Sequence, residues 1–309
     1  MDTGTTWPTR PGGKITLVVF LILVASLAVP PAYGPAPFWL AGFVIVMEAV
    51  RWLHRCVTVG TERKTVFADV AALGYAGLFA WHILTAHLKW LDAMFFPAPE
   101  TIVRLFWHEV PGLVAGAGGS LVKLFTGFGI ALATGILLGL LIGWNKRLSH
   151  AVAPIAKALG PIPPVIYIPY AICFLPNLRW AQVFVIFIGA FWPVFLSTLS
   201  GIRNITRAHI EAARTLALGH RDMILRVILP GALPSICGGA VLGLVFSFIL
   251  LTAAELIGSS SGVGWYIKNH ADFGDFSRVL VGIAFVGVLV LAVTSVTDRI
   301  ERSLIAWCE

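Results

Sequence analysis

Charge is scarce in this sequence. Only 12% of its 309 residues are Asp, Glu, Lys or Arg, whereas 58% are hydrophobic, and the mean hydropathy is +0.88. Soluble domains carry about a quarter charged residues, so this balance excludes one and places the chain in a bilayer. Cysteine is sparse as well. Cys56, Cys173, Cys237 and Cys308 fall in separate segments without Cys-x-x-Cys or Cys/His spacing, which indicates neither a metal site nor a disulfide framework. The sequence lacks a G-x-x-x-x-G-K-[ST] phosphate loop and an H-E-x-x-H zinc pair. No catalytic residue, metal ligand or bound cofactor is therefore assigned, and any ATP used must sit on a partner. No A-x-A-like cleavage site follows the first apolar run, which bends at Pro30 and Pro31 and reads as a retained span.

Acidic residues are the rarer sign, 15 against 22 Lys and Arg, for a net charge of +7. The basic residues are spread over short interhelical loops, so they report topology and not a nucleic-acid partner. A crossing needs about 20 mostly apolar residues. Such runs occur at residues 15–33, 36–52, 66–88, 121–143, 153–175, 181–202, 236–257 and 278–298. The expected fold is an all-α integral membrane protein of about eight transmembrane helices. With the N-terminus inside, 16 Lys and Arg fall on the cytoplasmic side and 6 outside (Lys89, Arg104, Lys123, Arg179, Lys268 and Arg278). Cytoplasmic loops retain the basic excess, so both termini are expected in the cytoplasm.

Small residues recur every four positions at Gly127, Ala131, Gly135, Gly139 and Gly143, a helix-packing seam within one subunit or between two. Pro154, Pro161, Pro163, Pro164, Pro169 and Pro176 punctuate the fifth run. Irregular backbone at membrane depth lies in protein or along a water-filled cavity. Residues 161–169, with Tyr167 among them, thus read as path-lining or as a kinked packing helix. The stretch FFPAPETIVRLFWHEVPG predicts a short helix along the outer membrane surface, with Trp107 and His108 as contacts for an arriving partner or as an interfacial belt. Ionisable groups within the runs are Glu48, Asp69, His82 and Glu255. Glu48 and Asp69 lie near the basic loop of Arg51, Arg55, Arg63 and Lys64 and are expected to pair there. Glu255 reads as a solvated helix-end carboxylate or as a path-facing group where two subunits meet.

Residues 203–230, RNITRAHIEAARTLALGHRDMILRVILP, form a polar island between two apolar runs. Five arginines, two histidines, Glu211 and Asp222 cannot face lipid. Residues 209–216 suit a short helix with Ile210, Ala213, Ala217 and Leu218 along one side. Gly219 would allow a sharp turn, and a second helix over 220–229 would re-enter the membrane at Pro230. The physical readings are a solvated loop or a helix-turn-helix that docks in the cleft of a soluble subunit.

The same residues resemble the EAA loop of permease subunits in binding-protein-dependent ABC importers. Its pattern is EAA, three residues, Gly, nine residues, Ile, any residue, Leu-Pro. Glu211, Ala212, Ala213, Leu229 and Pro230 match, whereas Ala217 stands in place of Gly, with Gly219 two residues later, and Val227 replaces Ile. FFPAPETIV, GPIPPVIYIPYAICF, GAFWPVFLSTLSGIR and AAELIGSSSGVGWYI are similar, in order, to the branch serving nitrate, bicarbonate, taurine and aliphatic sulfonates. The resemblance implies a six-helix type I importer core at 65–309 in the bacterial cytoplasmic (inner) membrane, preceded by an extension, 1–64, with two extra helices and a basic loop. It implies a homodimer of permeases in membrane lipid, two cytoplasmic ATPase subunits holding ATP and Mg, and an extracytoplasmic solute-binding protein. Residues 203–230 would be the cytoplasmic coupling loop, with force carried by Glu211, Ala212, Ala213, Arg214, Ala217 and Gly219. Path candidates are Pro161, Pro163, Pro164, Tyr167 and Glu255.

Other classes stay open at this point. A proton-coupled secondary transporter would use Glu48, Asp69, His82 or Glu255, and a membrane scaffold would leave the broken fifth run unexplained. Within the importer class, the substrate is a small anion or a thiamine precursor or other small heterocycle. No cluster of buried arginines is visible that would select an anion, so specificity is expected to rest with the binding protein.

Overall fold

A computed structural model describes Ile45 and residues 61–88, 90–216 and 219–304. The expected runs 15–33 and 36–52, Ile45 apart, fall outside these residues, as do Glu48 and Ala217. Every regular element among the described residues is helical.

Helix α1, Thr61–His82, continues into a π turn at Ile83–His87, and its apolar part, Leu73–Ala86, is short of a full crossing. Asp69 lies within it. Helix α2 covers Pro99–Trp144, 46 residues. Proline at its first position and Glu100 in its first turn suit a helix start. The stretch expected as a separate surface helix is instead the first part of α2. Pro111 removes one intrahelical donor, but the Ala-, Gly- and Leu-rich residues that follow carry no other stop and the helix continues.

Asn145 caps α3, Lys146–Leu159, by accepting the Arg147 and Leu148 amides at 3.0 and 3.3 Å. A 3-10 turn, Pro164–Tyr167, leads into α4, Ile168–Phe174. Lys146–Leu159 and Pro164–Phe174 are bent by 82° across the proline cluster. Helix α5, Leu178–Asn204, is capped by Asn177, which accepts the Trp180 amide at 3.1 Å.

The polar island holds α6, Arg207–Thr215, and α7, His220–Met223. A π turn, Ile224–Ile228, joins α7 to α8, Leu229–Gly258. The second loop helix therefore does not stop at the membrane: Arg221–Gly258 is one 38-residue helix. Pro230 sits where α8 begins, and the wide turn before it accommodates the missing amide donor. Two elements follow, α9, Val263–Asp272, and α10, Phe276–Leu304. Helix α9 had no counterpart among the sequence expectations. Its polar residues, Lys268, Asn269 and His270, kept it out of a search for apolar runs.

Among the described residues four helices are long and apolar enough to cross a membrane: Pro99–Trp144, Leu178–Asn204, Arg221–Gly258 and Phe276–Ser303. The bent pair makes a fifth if it counts as one span. The chain is an all-α, multi-pass membrane protein.

The chain divides into two compact units. The first comprises residues up to Val110 with His270–Val281, and the second Pro111–Asn269 with Gly282–Glu309. In the first, buried His82 places Nδ1 3.3 Å from Oε2 of buried Glu100. Arg278 bridges Glu109 at 2.8 Å and Asp275 at 2.6 Å. In the second, α8 packs chiefly on α5, with Leu124, Ile186, Leu244, Phe248 and Leu251 in the core. The small-residue stripe of α2 faces α5. A Cβ built on Gly127, Gly135, Gly139 or Gly143 would lie 2.8, 2.9, 2.6 or 2.5 Å from side-chain carbons of Ile186, Val194, Thr198 and Ile202 respectively, and Ala131 is fully buried. These backbones approach closely because no Cβ intervenes, and dispersion contacts, which carry helix association in lipid, are gained along the seam.

Candidate functional site

The residues of the polar island are placed by amphipathic spacing. On α6, Ala213 is buried with Met223, Ile228 and Ala232, while Glu211 and Ala212 are exposed. Leu216, just beyond the helix, is 74% exposed. A large apolar side chain held in the open at the edge of a polar helix is an available contact. Beside it lies a groove of about 500 Å³ lined by residues that include His209, Ala212, Leu216, Arg226 and Pro230. Arg226 pairs with Asp222 at 3.1 Å on the exposed face of the helix, an exposed pair worth about 0–1 kcal/mol. Gly219 does not supply a left-handed turn. Positive φ occurs only at Gly262 and Gly274 among the described glycines, and a Cβ on Gly219 would meet nothing within 4 Å. Helix α7 begins just after Gly219, and its first turn closes with the Met223 amide donating to the Gly219 carbonyl at 2.9 Å. Arg214 lies in α6, and Leu229 and Pro230 open α8.

At the bent pair, Pro161 and Pro163 are exposed and Pro164 and Tyr167 are half-buried. Ile168 and Ala171 turn into the core against α5 and α8, while Ile166, Tyr170 and Phe174 project outward at 57, 65 and 82% exposure. The bend is therefore anchored on one side and leaves an apolar, aromatic surface on the other.

At the end of α8 farthest from the island, Glu255 is not solvated; it is 1% exposed. Its Oε1 receives Lys123 Nζ and the Ser120 hydroxyl, the latter at 2.7 Å. Its Oε2 accepts the Gly264 amide at 2.9 Å, and Ser120 Oγ accepts the Val263 amide at 3.2 Å. Ser120 and Lys123 share one face of α2 because they are three residues apart. The glycines of the following turn fit this carboxylate. Gly262 has φ +114° and a Cβ there would run into the Glu255 carboxylate, and one on Gly264 would lie 2.7 Å from Glu255 Cβ. Thus the ion pair, one hydroxyl and two amides bind the end of α8, the turn and the start of α9 to α2.

Next to this cluster opens a cavity of about 330 Å³, lined by residues that include Gly118, Gly119, Lys123, Arg179, Gln182 and the serines 259, 260 and 261. Gln182 Nε2 donates to the Ala254 and Gly258 carbonyls at 3.4 and 3.3 Å. Sequence reasoning missed this assembly because its members lie far apart in the chain. The available signal was Lys123 at the head of an apolar run, one turn after Ser120. Residues 258–262 spell G-x-S-x-G, but they join two helices and not a strand to a helix, so no nucleophile elbow is built. Among the described residues no group of three or more His, Cys, Asp or Glu is placed to hold a metal ion.

Comparison with known proteins fits this arrangement. The family model described as "Binding-protein-dependent transport system inner membrane component" matches residues 135–306, more than half of the chain. A nitrate import permease protein of Leptolyngbya laminosa is 30% identical over 211 residues, covering 68% of this chain and 73% of that protein. An aliphatic sulfonates transport permease protein of Bacillus subtilis is 31% identical over 229 residues, covering 74% of this chain and 83% of that protein. In fold, the chain is similar to the MetNI methionine ABC transporter in an inward-facing conformation, with a TM-score of 0.54 at 20% identity over 62% of this chain and 95% of that chain. The polar helix pair between two spans lies inside the matched region, and the match covers more than half of the chain: this protein belongs to the binding-protein-dependent transport system inner membrane components, as a transport subunit.

Proposed function

We propose that this chain is the permease of an ATP-driven importer and forms, with a second copy, the membrane path for a small anion of the nitrate, sulfonate or bicarbonate type. One observation carries the reading: the exposed Glu211 and Ala212 on α6 and Leu216 just beyond it, between two spans and within the family match. Residues 203–230 form the cytoplasmic coupling loop, whose Glu211, Ala212, Ala213, Arg214, Ala217, Gly219, Leu229 and Pro230 meet a partner ATPase that holds ATP and Mg. Residues 65–309 form the importer core, and 1–64 add two membrane helices, which makes eight with both termini in the cytoplasm. A solute-binding protein delivers the anion at the outer side. The names of the relatives favour an anion over a thiamine precursor or other heterocycle.

The mechanism follows from the continuity of Arg221–Gly258. At 1.5 Å per residue its 38 residues span about 57 Å, so a displacement of the loop by closing ATPases is delivered to the far end of α8, where Glu255 sits. The outward surface of the bend, with Pro161, Pro163, Pro164 and Tyr167, faces the path between the two copies. A proton-driven reading through Glu255 loses its basis, because both carboxylate oxygens are engaged by Lys123, Ser120 and Gly264. Copurification tests the proposal: the wild-type chain carries an ATPase through affinity purification, and Glu211→Arg inserts normally but loses the ATPase or the uptake that depends on it. A chain that transports at full rate without any ATPase would overturn it.

A further inference from the structure

The cavity at the end of the helices away from the coupling loop carries a charge that nothing among the described residues neutralises. Of its two cations, Lys123 is spent on Glu255. Arg179, exposed on the cavity wall, forms no ion pair among the described residues. The hydroxyls of Ser260 and Ser261 line the same wall, both residues are exposed, and neither hydroxyl has a hydrogen-bond partner among the described residues. Arg179 also stands in the first turn of the 27-residue α5, where the helix dipole adds positive potential. No carboxylate lines the cavity. Its floor is widened by Gly118 and Gly119, on which a Cβ would meet nothing within 4 Å.

We propose that this cavity is an oxyanion site of the permease itself. The Arg179 guanidinium takes two oxygens of a planar or tetrahedral anion, and the Ser260 and Ser261 hydroxyls donate to the remainder. The Glu255–Lys123 pair does not touch the anion; it holds the serine-bearing turn against α2, which makes Glu255 a positioning residue. The site deepens the importer reading and rests on it for its direction: the anion would leave the binding protein and meet Arg179 before entering the path. Because the same α8 that carries the coupling loop ends at Gly258 on the cavity wall, loop displacement also alters the site.

Calorimetry on the permease–ATPase complex in phosphatidylcholine nanodiscs, with nitrate and with ethanesulfonate as titrants, tests the proposal. Saturable binding is expected that weakens about tenfold or more in Arg179→Gln, weakens less in Arg179→Lys, which keeps the charge but not the two-donor fork, and is lost when Gly119→Phe fills the cavity. Nanodiscs that contain phosphatidylglycerol separate two sources of the oxyanion: unchanged nitrate binding assigns the site to a free anion, and competition assigns it to a lipid phosphate. The absence of saturable binding with either titrant, or binding indifferent to both Arg179→Gln and Gly119→Phe, would overturn the site. ATPase copurification is scored in the same samples. A lost site with an intact complex counts against this inference alone, whereas a lost complex in the wild type counts against the importer reading.

Discussion

Replacing Lys123 with Met should loosen the end of α8 that carries Glu255. Lys123 is 6% exposed and Glu255 is 1% exposed, so the substitution leaves a buried carboxylate without its ammonium partner. Removing one member of a buried pair costs about 3–5 kcal/mol. Here Glu255 keeps the Ser120 hydroxyl at 2.7 Å and the Gly264 amide at 2.9 Å, which stabilise the remaining charge and put the expected loss near the lower bound, about 3 kcal/mol. At about 2–4 °C per kcal/mol for a chain of this size, the melting temperature should fall by roughly 6–12 °C. Glu255→Gln leaves the ammonium unpaired and should lose a similar amount. The double variant Lys123→Met, Glu255→Gln removes both charges while retaining a polar group for Ser120 and Gly264, so it should lose less than the sum by about 2 kcal/mol or more. Thermal unfolding of the four proteins in one lipid and detergent composition measures the cycle. Additivity within about 0.5 kcal/mol would refute the pairing as the clamp on this turn.

Three further perturbations act on separate parts of the structure. Gly262→Ala combines a φ of +114° with a methyl group directed at the Glu255 carboxylate, so its melting temperature should drop while Gly118→Ala, in open space, stays at the wild-type value; equal melting would refute the close approach. Gly139→Val forces a branched side chain where a Cβ already lies 2.6 Å from Thr198 Cγ2; overpacking of about 1–3 kcal/mol is expected in the same assay, with Gly129→Ala, which meets nothing, as the neutral control. Asp275, just ahead of α10, is pulled up by burial, but the hydrogen bonds and charge of Arg278, with His270 adding to them, outweigh this and hold its carboxyl below the ordinary range. A depressed folded value means that its stabilisation is complete above the ordinary carboxylate pKa of about 4 and is lost as pH falls through the depressed value. Wild type should therefore lose more melting temperature than Asp275→Asn between about pH 5 and pH 2, and parallel curves would exclude Asp275 from the acid response.

What the sequence reveals depends on how far apart the interacting residues lie. The stripe Gly127, Gly135, Gly139 and Gly143 is a local period, and each member abuts α5. The prolines 161, 163 and 164 are a local interruption, and the helix pair bends by 82° there. Local rules fail where context supplies the missing term. Pro111 reads as a stop, yet α2 passes through it; Gly219 reads as a turn-former, yet its φ is not positive. Around Pro111 the backbone gains more from continuing its own hydrogen bonds than the one donor lost there, so the helix continues.

The Glu255 cluster shows the opposite limit. Glu255 and Ser120 are 135 positions apart and Val263 and Ser120 are 143 apart; no window over the sequence contains both ends. Composition nevertheless constrains the outcome. A carboxylate in an apolar run must find a cation or lie at the water interface, and Lys123 is the lysine that heads a neighbouring run. The turn that folds over the pair can carry no Cβ at Gly262 and has no room for one at Gly264, so the small residues in GSSSGVG are a consequence of a buried charge rather than of flexibility. The same turn leaves Ser260 and Ser261 exposed opposite Arg179. Neutralising Lys123 with Glu255 thereby bears on the proposed anion site: among the described residues, the cation left on the cavity wall without a counter-charge is Arg179, and an incoming anion would meet a single guanidinium in place of a saturated network.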